Sequence, residues 1–83
     1  MTENHILDVL NNQFQSLMTE YNETLECCLH TKKSIGEVPN FIESKFISID
    51  HTIEVFMKFA RTVGWTVIMD VDTDGFITRL KAI

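Results

Sequence analysis

Trp65-Thr66-Val67-Ile68-Met69-Asp70-Val71-Asp72-Thr73-Asp74-Gly75-Phe76-Ile77-Thr78-Arg79-Leu80-Lys81 is the stretch that decides the fold. Trp65, Val67, Met69 and Val71 alternate with Thr66, Ile68, Asp70 and Asp72, the period of two that marks a strand with one buried face. Asp74 and Gly75 tolerate left-handed backbone, and a second β-rich run follows them. A tight turn there puts Phe76, Thr78, Leu80 and Ala82 on the face of Trp65 and Val67. It also sets Arg79 opposite Asp70, an attractive cross-strand pair. A lone ribbon of two strands is unstable in water, so the apolar face of this hairpin, residues 65–82, must rest on the rest of the chain.

What precedes the hairpin reads as two helices. Leu7, Leu10, Phe14, Leu17, Tyr21, Leu25 and Cys28 recur at steps of three and four, one face of a helix over about residues 4–34. Asp8, Asn11, Asn12, Gln15, Asn22, Glu23 and Glu26 take the polar side. Glu3 and Asp8 at the start and Lys32 and Lys33 at the end complement the helix dipole, and Gly36 is a stop. After Gly36-Glu37-Val38-Pro39, Asn40 with Glu43 three residues on has the spacing of a capping box. Ile42, Phe46, Ile49, Ile53, Phe56, Ala60 and Val63 then form a heptad-like seam over residues 40–63, closed by Gly64. A short link between long amphipathic helices favours an antiparallel pair. The expected fold is a single α+β domain over residues 1–83, in the order ααββ.

Two seams this long exceed what the hairpin can cover, so a homo-oligomer is expected. A second stripe, Ile47, His51, Val55 and Phe59, runs at steps of four on the flank of the second helix. It can receive the hairpin, a second subunit or a partner.

Eighty-three residues carry a net charge of −5, with 45% apolar residues. No segment is basic, which argues against nucleic-acid binding, since that needs phosphate neutralisation. The acidic balance suits a basic protein partner. No apolar run reaches the ~20 residues of a membrane span, and Met1-Thr2-Glu3-Asn4-His5 does not read as a signal peptide, so the expected location is cytoplasmic. Cys27 and Cys28 are no disulfide framework. Their side chains diverge by about 100° on a helix, so a vicinal bridge would break it.

Asp70, Asp72, Asp74, Gly75 and Ile77 resemble the start of an EF-hand loop, with alternate carboxylates before a sharp glycine turn and an aliphatic residue. The resemblance implies a calcium site. Lys81, however, stands where that family has a bidentate Glu, and the flanks read as strands. The hairpin turn is the competing reading. Glu23, Cys27 and His30 share one side of the first helix, but three groups on one helix without a second cysteine pair make a poor zinc site. Cys27 with His30 lacks an orienting third group and an oxyanion site, so no catalytic set is expected. Tyr21 and Trp65 fit core faces, with Cys28 on the seam.

The expected function is a non-enzymatic, acidic, homo-oligomeric protein-binding module (an adaptor, inhibitor or assembly subunit) without a cofactor. Glu20, Glu23 and Glu26 on the first helix and Ile47, His51, Val55 and Phe59 on the second are its candidate contacts. Two alternatives are a metal-responsive protein using Asp70, Asp72 and Asp74, and an oligomer that sequesters a small ligand at a subunit boundary.

Overall fold

Leu10, Phe14 and Leu17 are buried along the first helix and Leu7, Tyr21, Leu25 and Cys28 are half-buried, as their spacing requires. In the computed structural model, which describes residues 3–83 with side chains from residue 5, this helix is α1, Glu3–Ile35. The side chain of Glu3, assigned to the helix dipole, lies outside that description. Thirty-three residues at about 1.5 Å each span roughly 50 Å, and the molecule is 49 Å long. Gly36 ends the helix at φ 83°, donating its N–H to the carbonyl of Lys32 at 2.9 Å. A residue with a Cβ is strained there.

The second helix, α2, spans Asn40–Val63. Its start differs from expectation. Pro39, not Asn40, is the N-cap, and no side chain caps the helix. The Pro39 carbonyl takes the amides of Ile42 and Glu43 at 3.0 and 3.1 Å. With Asn40 already inside the first turn, its side chain is one position too late to form the box with Glu43. At the other end the motif is a Schellman cap. Gly64 sits at φ 101°, its N–H bonds Arg61, and the N–H of Trp65 bonds Ala60.

The hairpin is β1, Val67–Val71, against β2, Ile77–Ala82, antiparallel, with Asp70 opposite Arg79 as expected. The turn is one residue longer than expected. The Asp72 carbonyl accepts the Gly75 N–H at 3.1 Å, and the Asp72 N–H bonds Phe76 at 2.9 Å, so Thr73, Asp74 and Gly75 form the loop. Val71 therefore pairs with Ile77, and a bulge beside Asp70 restores the register beyond it. A one-residue slip exchanges faces. Ile77 is buried, while Thr78 is exposed and Phe76 only half-buried, against the expectation that Phe76 and Thr78 face inward. Leu80 and Ala82, past the bulge, are buried as expected.

The core lies between α1, α2 and β2. Leu10, Phe14 and Leu17 meet Ile49, Ile53 and Ala60, and Ile77, Leu80 and Ala82 close the third side. β1 contributes no fully buried residue and leans only lightly on α2.

The docking of β2 relies on residues expected to face solvent. Asn11 donates Nδ2–H to the carbonyl of Ala82 at 2.9 Å and accepts the Ala82 N–H at 2.7 Å. Asn22 makes the same pair of bonds with Ile77, both at 2.8 Å. Gln15 donates to the carbonyl of Leu80 at 2.9 Å. Asn11 and Asn22 are about three helical turns apart and so share a flank of α1. These amides replace a missing neighbouring strand and satisfy the outer edge of β2.

Candidate functional site

Each helix of the pair has one flank under the hairpin and one free of it. On the free side, Ile6, Val9, Leu10 and Gln13 of α1 and Val55, Phe56 and Phe59 of α2 line a groove of about 320 Å³. Ile6, Val9, Val55 and Phe59 remain 40%, 46%, 49% and 46% exposed. These four side chains stay partly in water, while Leu10 at the base of the groove is buried. This exposed apolar cluster is the candidate contact surface of the fold.

Apart from Phe59, which Trp65 of the hairpin meets, the stripe expected along α2 is thus open, and it is not one stripe. Steps of four advance about 40° each, so Phe59 lies about 120° around the helix from Ile47. Val55 and Phe59 belong to the groove. His51 lies on a polar surface with Glu54, Val55, Lys58 and Arg61, and Ile47 is exposed outside the groove. Sequence reasoning missed Ile6 and Val9. They lie immediately beside Leu7 and Leu10 and widen the apolar face at the start of α1, a signal that was legible.

Glu20, Glu23 and Glu26 are all exposed. Steps of three retreat about 60° each, so they fan across the helix without forming a cluster. Glu23 lines a depression with Thr24, Cys27, Phe41, Ile42 and Lys45 near the helical turn. Cys27 and His30 are exposed. Among the described residues, no group of three or more His, Cys, Asp or Glu is placed to hold a metal ion. Those residues also contain no helix long and apolar enough to cross a membrane.

Asp70 and Asp72 of the hairpin have separate roles, and Asp74 enters only through its backbone N–H. Asp70 Oδ2 accepts from Arg79 Nε at 2.7 Å, with the two side chains 52% and 55% exposed, so the pair adds little stability. Asp72 Oδ1 accepts the backbone N–H groups of Asp74 and Phe76, both at 2.9 Å, which makes it the clasp of the turn. Gly75 holds φ 96°, and a Cβ there would meet Leu25 Cδ2 at 3.6 Å, an ordinary contact. Replacing Gly75 by Val therefore costs backbone strain, about 1–2 kcal/mol or more. Asp72→Asn keeps the Oδ1 acceptor and is expected to melt within about 0.5 kcal/mol of the parent. Thermal melts of both variants check the order. Calcium calorimetry is expected to give no micromolar isotherm, and one abolished by Asp72→Asn would restore the calcium reading.

Tyr21 packs its ring 4.8 Å from that of Phe46. Burial, and secondarily the charge of Asp50, pushes its hydroxyl pKa up. Trp65 is half-buried and meets Phe59 edge-on at 6.4 Å, which links the hairpin to the groove wall. Cys28 is half-buried, and burial, then Cys27 and Glu43, push its thiol pKa up, while Cys27 is exposed. The thiolate is the reactive form. A maleimide under native conditions is expected to label Cys27 well ahead of Cys28. Equal rates would place α1 in a different phase.

Comparison with family models finds no match, and searches of curated proteins and of solved structures find none either.

Proposed function

We propose that this chain is a non-enzymatic, homo-oligomeric protein-binding module of the cytoplasm. It offers the groove of Ile6, Val9, Val55 and Phe59 to an apolar element of a partner. The exposed carboxylates of α1, among them Glu20, Glu23 and Glu26 spread around the helix, meet that partner's basic surface. The observation that carries the reading is the groove, open on the helix pair with its large apolar side chains half-exposed. The net charge of −5 supports the second part, because complementary charge speeds encounter and selects the partner.

Two measurements test it. Light scattering at micromolar concentration is expected to give at least twice the 9.6 kDa chain mass. A monomer mass at every concentration removes the homo-oligomer. Capture from a native extract is then compared for the parent, V55D/F59D and E20A/E23A/E26A. A protein held by the parent and released by both variants is the expected result. Equal capture by all three excludes these residues as the contact.

A further inference from the structure

We propose that the outer edge of β1 docks a second copy of this chain, antiparallel about Met69, so that two hairpins join into one four-stranded sheet. The proposal rests on the homo-oligomer reading above and names its interface. Thr66 and Ile83 exchange both of their backbone bonds, at 2.9 and 2.8 Å. In an antiparallel ladder such pairs alternate, so Ile68 with Lys81 and Asp70 with Arg79 are the next bonded pairs. Val67, Met69 and Val71 therefore direct their N–H and C=O groups away from β2. A two-fold axis at Met69 matches Met69 with itself and Val67 with Val71, and uses every one of those groups. Such self-matching is what an isologous interface requires.

The two sheet edges are treated differently. The β2 edge is closed by Asn11, Gln15 and Asn22. β1, Val-Ile-Met-Asp-Val, has no lysine or proline to block pairing, and its one charge is held by Arg79. Met69 and Val71 are 43% and 49% exposed beside a slot of about 160 Å³, which they line with Tyr21, Ile53, Met57 and Ile77. A second β1 would lay the same side chains against them. Charge agrees as well. The slot also places Asp50 and Glu54 of α2 next to β1. The axis sets the two α2 helices antiparallel on one side of the sheet, bringing Asp50 and Glu54 toward Arg61 and Lys58 of the second copy.

Met69→Pro is the direct test, because proline removes the central donor of the proposed pairing and none of the β1–β2 bonds. By symmetry each copy loses a bond, so the dimer dissociation constant is expected to rise about 100-fold, with helix content unchanged. Sedimentation equilibrium measures it. Met69→Cys in a Cys27→Ser, Cys28→Ala background is the second arm. Bonded partners sit about 5.5 Å apart at Cα, within disulfide reach, so mild oxidation is expected to link the chains across the axis. A dimer that survives Met69→Pro but is lost in V55D/F59D overturns the β1 interface and leaves the binding-module reading standing. A chain dimeric by mass in which Met69→Cys forms no cross-link also overturns it, even if the proline variant fails to fold. A parent that is monomeric at all concentrations overturns the homo-oligomer itself.

Discussion

Phe14→Ala is expected to destabilise the fold by about 3–5 kcal/mol, the range for deleting a buried aromatic ring. Phe14 is fully buried, and it stands where the helix pair and β2 meet, among Leu10, Leu17, Ile53 and Leu80. The surrounding backbone belongs to two long helices, which cannot collapse into the void without losing their other contacts. At roughly 0.05–0.15 kcal/mol per residue, a chain of this size has only about 4–12 kcal/mol of total stability. The variant should therefore lose a quarter or more of it, with the urea midpoint moved sharply down. Leu29→Ala is the control, because Leu29 is half-exposed. It should melt within about 0.5 kcal/mol of the parent. Both curves must be taken at one chain concentration, since self-association shifts the midpoint by mass action. A Phe14→Ala midpoint close to that of Leu29→Ala would show that α1 does not present this face to the core.

The elements and their order were legible because each is set by a short-range rule. Steps of three and four from Leu7 to Cys28 fix the phase of α1, and Gly36 and Gly64 mark its end and that of α2. The pairing of Asp70 with Arg79 was expected from a two-residue turn at Asp74-Gly75, and it holds because the bulge offsets the additional loop residue. Three features escaped, and the first two depend on geometry beyond a single element. The bulge that brings Ile77 inward and turns Thr78 out depends on one additional loop residue, which the composition of the turn does not reveal. Asn11, Gln15 and Asn22 look like solvent-facing amides on a helical wheel. Only the presence of β2 beside α1 gives them partners. The Ile47–Phe59 stripe failed for a different reason: steps of four do not close on a period of about 3.6, so its ends diverge. Of the surfaces proposed for binding, the Val55 and Phe59 half was readable from one helix. The widening of the α1 face by Ile6 and Val9 was legible too, but only the second helix makes it the wall of a groove.

Replacing Asn11 and Asn22 together by Ala is expected to cost about 3 kcal/mol and to change how the protein behaves in concentrated solution. The two side chains make four hydrogen bonds to the backbone of Ile77 and Ala82, at 2.7 to 2.9 Å. Each bond contributes about 0.5–1.5 kcal/mol net. Water can reach these half-buried groups, which keeps the total below that of a deep core site. The sharper readout is hydrogen exchange. The amides of Ile77 and Ala82 point at Asn22 and Asn11, whereas that of Arg79 points at Asp70 across the ladder. In the double variant Ile77 and Ala82 should lose protection by orders of magnitude more than Arg79, which reports the hairpin itself. Uniform loss at all three would instead mean that the whole hairpin has detached. Asn22→Asp refines the test. Its Oδ1 still accepts from Ile77, but the carboxylate has no donor for the Ile77 carbonyl and repels it, so its cost should exceed that of an exposed Asn→Asp change. The double variant also opens the second sheet edge. An unprotected edge is a template for strand addition, so concentration-dependent assembly beyond the parent's oligomer should appear. If the melt, the protection of Ile77 and Ala82 and the assembly state all match the parent, the amides do not hold β2, and its packing rests on Ile77, Leu80 and Ala82 alone.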